Sequence, residues 1–292
     1  ADLKTDGGLE AVLALAAEAD VLIENFRPGT LERLGLAPDV LWEANPTLVI
    51  TRVTGFGQDG PHAGRPGFAT IAEAMSGFAD INGSPDGPPV LPPIALTDEL
   101  TAVVAAYATM AAVHAGVGQV VDVSLLDSLF SFMGHNWAAY AADGTLQPRM
   151  GSELPYSVPR NAYETADGRW VALSASADTV AARVATMVGL GDDERLRSFA
   201  GRVAHRAELD AAVAAFIAER TLDEVLTAFD AADAAVAPIY SMADVADDPH
   251  FVERDATVTV DGIAMPGLLA RFSETPGRIR WAGRDERGRP AG

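Results

Sequence analysis

The chain has 292 residues, 49% hydrophobic and 21% charged, which suits about two domains with a sizeable core and excludes the disordered class. Its 21 basic and 41 acidic side chains give a net charge of −20, which argues against a surface that coats nucleic acid but leaves room for one local basic pocket that receives a small anion. With no cysteine there is no disulfide, thiolate nucleophile or Cys-ligated metal, consistent with a reducing cytoplasm.

The first residues, Ala1-Asp2-Leu3-Lys4-Thr5-Asp6, are charged and lack the apolar region of an export signal. The most apolar run, Ala102 to Val113, falls short of the ~20 residues a membrane span needs. The expectation is a globular cytoplasmic protein with no membrane or nucleic-acid partner.

In chain order, Gly7-Gly8 opens an amphipathic stretch through Leu9, Val12, Leu13 and Ala16. Asp20 to Phe26 reads as a buried strand stopped by Arg27-Pro28-Gly29. A short helix follows with Leu31 and Leu34, and Pro38 suits the first turn of the next. Leu48 to Val53 is a second strand. Helices alternating with apolar strands predict a parallel α/β layer. Residues 55–66 are a Gly/Pro-dense loop, Phe68 to Phe78 is helical, and Asn82 to Pro93 is a long turn region of the kind that is functional or mobile. The strongest helix runs from about Thr97 to His114, followed by a strand at Val120 to Ser124 and a helix through Leu126, Leu129, Phe130 and Met133.

Composition shifts near residue 143. The expected division is a large domain over 1–145, a linker over 146–160, a small α+β domain over 161–256 and a closing segment over 257–292. The small domain opens on a hairpin, Tyr163 to Leu173, with an Asp167-Gly168 turn. Helices at 178–188, 206–219 and 221–230 lead to a strand at Ala235 to Tyr240, and Thr257 to Phe272 reads as β structure turning at Asp261-Gly262.

Gly55-Phe56-Gly57-Gln58-Asp59-Gly60 fits a dinucleotide fingerprint, but Pro61, Gly64 and Pro66 stand where a helix would have to open, so it reads as a turn. Neither a phosphate-binding P-loop nor a G-x-S-x-G elbow occurs, and the five histidines lack metal-ligand spacing. Asp247-Asp248-Pro249-His250 reads as a loop before it reads as a metal site. Glu24 to Gly29 places polar groups just past a strand's C-terminal end, where ligands of open α/β sheets collect. Thr97-Asp98-Glu99 opens the long helix. The acids there read as cap and first-turn residues, and Asp98 in the same position also suits a carboxylate nucleophile, because the positive helix end favours a carboxylate.

Taken in order, several segments resemble family III CoA-transferases (the CaiB/BaiF type, with formyl-CoA and carnitine CoA-transferases). They are Asp2-Leu3-Lys4-Thr5, Ala19 to Gly29, Arg33 to Leu36, Gly55 to Pro61, Arg65 to Gly77, Thr97-Asp98, Gly118 to Ser124 and Ala166 to Trp170. The resemblance implies a Rossmann-like parallel-sheet large domain, a smaller α+β domain, and a homodimer of interlocked ring-shaped subunits. It implies that Asp98 attacks an acyl-CoA thioester, passing through an aspartyl mixed anhydride and an aspartyl-CoA thioester, with a carboxylic acid as acceptor and no metal. Asn25, Phe26, Arg33 and Leu34 would contact coenzyme A, Lys4 and Arg33 would face its phosphates, and Arg65 and Phe68 would line the pantetheine and acyl channel. Apolar Phe68, Met75 and Phe78 near the implied channel suit a less polar acyl group, and core packing explains them equally.

The chain departs from the family pattern in four places. A βαβ segment with further CoA contacts normally precedes a motif like Asp2-Leu3-Lys4 and is expected to be lacking here, and the closing segment reads as shortened. Ala69 stands where the family often has an acid. Ser157 to Asn161 replaces a glycine-rich capping loop, so an oxalate acceptor is not implied. Two alternatives follow. An α-methylacyl-CoA racemase would need a His where this chain has Phe68, and a phenyl ring moves no proton. A non-catalytic fragment of the family is the other.

Overall fold

In a computed structural model, residues 2–283 are described, and they divide into two compact units between Pro155 and Tyr156. The division falls inside the segment expected as a linker. Residues 284–292 of the expected closing segment lie outside the described residues.

The first unit is built on a parallel sheet in the order β1-β2-β3: β1 Val21–Glu24, β2 Val49–Thr54 and β3 Val120–Ser124. Side chains alternate across a strand, so register decides which residues share a face. Leu22, Ile50 and Val120 are register partners, and with Leu31, Leu36 and Leu41 they pack under α1 (Asp6–Glu18), α2 (Thr30–Arg33) and α3 (Pro38–Ala44). Asn45 closes this layer, its Nδ2 donating to the carbonyls of Ala16 and Ala19 at 3.0 and 2.8 Å. One step further along the strands the same row becomes charged: Glu24, Arg52 and Asp122 are register partners.

Thr51 points to the opposite face, where its hydroxyl meets that of Thr109 at 2.6 Å, both buried. The segment from Phe68 to Phe78 is two helices, α4 (Ala69–Met75) and α5 (Phe78–Ile81), because Gly77 takes a left-handed φ of 89° that ends the first. Thr109 belongs to α6 (Leu96–Ala115), which packs on β2, β3, α4 and α7 (Leu125–Ser131). At 20 residues α6 is longer than the apolar run that the sequence shows, and among the described residues it is the one helix long and apolar enough to cross a membrane by length and composition. Asp98 and Glu99 occupy its first turn, and its row of Thr97, Thr101, Ala105, Thr109 and Ala112 is buried in the domain. A further helix, α8 (Gly134–Asp143), buries none of its residues, so the inward-facing period that reveals a helix in sequence is missing.

The second unit carries an antiparallel sheet of β4 (Arg160–Glu164), β5 (Trp170–Ser174) and β6 (Val236–Pro238). The helices α9 (Asp178–Met187), α10 (Phe199–Ala204), α11 (Arg206–Ala218) and α12 (Leu222–Ala231) enclose a core of Val171, Leu173, Val184, Leu209, Val213, Ile217 and Phe229. Arg202 of the unforeseen α10 is buried with its guanidinium donating to Asp178 and to the Val158 and Leu196 carbonyls. Two short helices follow, α13 (Met242–Asp247) and α14 (Pro249–Glu253), and Asp248 caps the second by accepting the His250 N–H at 2.7 Å. The last pairing is a hairpin of β7 (Thr257–Val260) and β8 (Ile263–Pro266), turned by Asp261 and Gly262 with φ of 52° and 77°. Its strands stop at Pro266, short of Phe272.

The hydrogen bonds from Arg52 hold the Glu32 carboxyl below the usual carboxylate range, against the opposing effect of its partial burial. Folding therefore favours the ionised form, so the stabilisation is in place above that range and is lost as pH falls through the folded value. Glu32 is part-exposed, and solvent screening keeps the effect modest. Glu32→Gln is expected to lower the urea midpoint at pH 7, with the gap to the parent protein closing below about pH 4 in the same titration.

Candidate active site

A cleft of about 310 Å³ opens at the C-terminal ends of β1 and β2, the edge where parallel sheets bind ligands. The stretch from Asn25 to Pro28 forms one wall, Thr54 and Gly55 the floor, and Ala63 and Arg65 to Phe68 the other wall. A larger cavity of about 590 Å³ lies in the second unit around Arg254, Arg271 and Phe272, and contains none of the residues singled out above. The smaller cleft is the better candidate, since strand ends, cations and aromatic rings converge there.

Two close approaches give the cleft its form. Gly55 and Gly67 cross so tightly that a Cβ on Gly55 would sit 2.7 Å from the Gly67 Cα, and one on Gly67 would meet the Gly55 Cα at 2.9 Å and the Phe56 ring at 3.0 Å. Phe68, directly after this crossing, lines the cleft together with Asn25 and Phe26. The Gly55 loop is pinned further by side chains of the sheet. Thr54 Oγ1 accepts the Gly57 N–H at 2.9 Å, Asp122 Oδ2 accepts the Gln58 N–H at 2.8 Å, and the Gly55 carbonyl accepts the Leu126 N–H. No helix opens at Gly60; the next begins at Ala69. The glycines therefore serve turns and a chain crossing.

Of the residues singled out in the sequence, Asn25, Phe26, Arg65 and Phe68 line this cleft. Phe26 and Phe68 are 41% and 71% exposed, so two rings offer apolar surface to an incoming molecule. Arg65 lies beside His62, Nη1 to Nδ1 3.2 Å, and that imidazole packs on Phe56 with centroids 5.5 Å apart. Lys4, Arg33 and Leu34 do not line it. Lys4 is exposed ahead of α1, Arg33 is exposed on α2 with Nη2 donating to Thr30 Oγ1 at 2.8 Å, and Leu34 is half-buried at the end of α2. Met75 and Phe78 also lie outside the cleft lining, so they give no information about an acyl group bound there.

Asp98 is exposed in the first turn of α6 and is not part of the cleft lining. Its neighbour Thr97 is fully buried and donates from Oγ1 to Glu73 Oε1 at 3.0 Å. Glu73 is itself buried in α4, which begins directly after Phe68, about 7 Å of helix rise away. One hydrogen bond thus fastens the head of α6 to the helix that leaves the cleft wall.

Arg27, part of the Glu24 to Gly29 segment singled out in the sequence, also lines the cleft, and three participants were not foreseen as such: Arg52, Glu73 and Thr97, which hold its supports. Arg52 was detectable in principle, as a charge inside an otherwise apolar strand must find partners. Glu73 looks from sequence like one more polar helix position.

An α/β unit with cations and aromatic rings at the sheet's C-terminal edge presents positive charge beside apolar surface. The sequence profile of CoA-transferase family III matches residues 1–285, and this chain belongs to that family of enzymes. It is 37% identical to the succinyl-CoA–D-citramalate CoA-transferase of Chloroflexus aurantiacus, over 97% of this chain and 73% of that protein. It is 36% identical to the beta subunit of the succinyl-CoA–L-malate CoA-transferase of the same organism, again over 97% and 73%. The crystal structure of a CAIB/BAIF family protein from Brucella suis superposes with a TM-score of 0.80 at 32% identity, covering 94% of this chain and 75% of that one.

Two substitutions probe the supports. Gly67→Ala forces the two loops apart and is expected to cost about 1–3 kcal/mol of stability, measured by urea unfolding. Thr97→Val strips the buried Glu73 carboxyl of this hydrogen bond and is expected to destabilise the chain by roughly 1–3 kcal/mol in the same unfolding assay.

Proposed function

We propose that the chain transfers coenzyme A from an acyl-CoA donor to a carboxylic acid acceptor, with Asp98 as the nucleophile. Its carboxylate attacks the donor thioester carbonyl, giving an aspartyl-acyl mixed anhydride and expelling CoA thiolate. The thiolate attacks the aspartyl carbonyl of that anhydride, releasing the donor acid and leaving an aspartyl-CoA thioester. The acceptor carboxylate attacks this thioester, forming a second anhydride and freeing the thiolate again. Attack of the thiolate on the acceptor's acyl carbonyl yields the new acyl-CoA and restores Asp98. Each step exchanges one activated acyl bond for another, so no outside energy source enters.

The observation that carries this reading is the cleft at the strand ends, which gathers Asn25, Phe26, Arg65 and Phe68 in a member of this family. Its two rings suit the pantetheine arm and adenine. Arg27 and Arg65 offer positive charge in a chain of net charge −20. Lys4 and Arg33 take the phosphates and Leu34 packs beside them. The free N–H groups at the head of α6 favour a negative charge on Asp98, and its exposure leaves the carboxylate open to attack a thioester. A dicarboxylic acyl donor such as succinyl-CoA is proposed on the names of the two relatives, with the Arg65 guanidinium as the cation for its far carboxylate. The assembly is proposed as a cytoplasmic homodimer.

Incubation with succinyl-CoA followed by hydroxylamine is expected to leave a hydroxamate on Asp98 and on no other acid, read by peptide mass spectrometry. Asp98→Ala is expected to lower kcat by a factor on the order of 10⁴. Full activity in that variant, or α-proton exchange in deuterated buffer that outpaces transfer, overturns the reading.

A further inference from the structure

One buried guanidinium joins the two chain segments assigned above to coenzyme A. Arg52 and Glu24 are register partners on β2 and β1, with side chains only 6% and 3% exposed, and Arg52 Nε donates to Glu24 Oε1 at 2.6 Å. The other oxygen of Glu24 is also committed: Oε2 accepts the backbone N–H of Phe26 at 2.7 Å. The far side of the guanidinium forks onto Glu32 of α2, Nη1 to Oε1 at 2.8 Å and Nη2 to Oε2 at 3.3 Å. Glu32 immediately precedes Arg33 and Leu34. A continuous path of hydrogen bonds therefore runs from the Phe26 amide, through Glu24 and Arg52, to α2.

We infer that Arg52 is a positioning residue for coenzyme A, fixing the Asn25-Phe26 wall of the cleft and the Arg33-Leu34 helix in one relative geometry. This rests on the CoA site proposed above. Attraction of phosphate is not the role of this side chain, because its single positive charge is met by two carboxylates and the group as a whole carries one negative charge. Stability by itself does not account for it either. Charges this deeply buried lose hydration that their pairing only partly offsets, and apolar replacements of similar volume often fold as well or better. What no apolar side chain supplies is a planar fork that reaches two carboxylates at once and holds a loop amide through one of them.

The two roles predict opposite outcomes at Glu32, which is part-exposed and so tolerates change. If charge governed binding, Glu32→Ala would remove a negative charge near the phosphates and tighten CoA binding. Positioning predicts the reverse: a Kd for CoA raised about tenfold by calorimetric titration of the full chain, with KM for acyl-CoA rising in step and kcat retained. Arg52→Lys keeps the charge but loses the fork, and is expected to weaken CoA binding by at least as much. As a check on folding, the neutral pair Glu24→Met with Arg52→Met is expected to keep the parent's far-UV spectrum and cooperative melting yet bind CoA as weakly as Arg52→Lys. Unchanged or tighter binding in Glu32→Ala, or parental affinity in Arg52→Lys, overturns the inference while leaving the proposed transferase intact. A parent chain that binds no CoA overturns the site and the inference together.

Discussion

A charge placed inside a parallel sheet has to be answered within the protein, and in this chain the answer organises the binding edge. The apolar row Leu22–Ile50–Val120 gives way, one step toward the strand ends, to the charged row Glu24–Arg52–Asp122. Each carboxylate of that row then accepts a loop amide, Phe26 for Glu24 and Gln58 for Asp122. The inner residues of β2 are buried, and the loops are tied to this sheet through two charge-assisted hydrogen bonds. A ligand edge made only of turns would lack such an anchor.

The second constraint is steric. Gly55 and Gly67 let two backbones pass at a distance that no side chain permits, and both line the cleft. The third is the Thr97–Glu73 hydrogen bond, which ties the start of α6 to α4. Sheet edge, chain crossing and helix head each belong to a different stretch of the chain. Together they place the cleft residues and Asp98, the carboxylate proposed to react, on one unit of the protein.

Much of this was legible without coordinates. The three strands of the large unit and its long helix carry strong apolar patterns, and the residues from Asn25 to Gly29, with Arg65 and Phe68, stand out by motif. The break at Gly77 was missed because a run of helix-compatible residues hides the left-handed turn between α4 and α5. The helix α8 was missed because it buries nothing, and α10 because its one deeply buried residue is an arginine. Lys4 and Arg33 look equivalent to Arg65 as cations in sequence, yet only Arg65 lines the cleft.

By itself the sequence determined the class of fold and the family, since these rest on local periodicity and on short motifs that survive in one dimension, and through the family resemblance it pointed to Asp98 as the carboxylate to test. Tertiary structure alone decided that Glu24, Arg52 and Glu32 share their charges, that Gly55 touches Gly67, and that Thr97 finds Glu73. Those partners are separated by 28, 20, 12 and 24 residues (Arg52 to Glu24, Arg52 to Glu32, Gly67 to Gly55, Thr97 to Glu73). Nothing in a linear pattern selects one such pair over another, because strand register and helix packing choose them only once the core has closed.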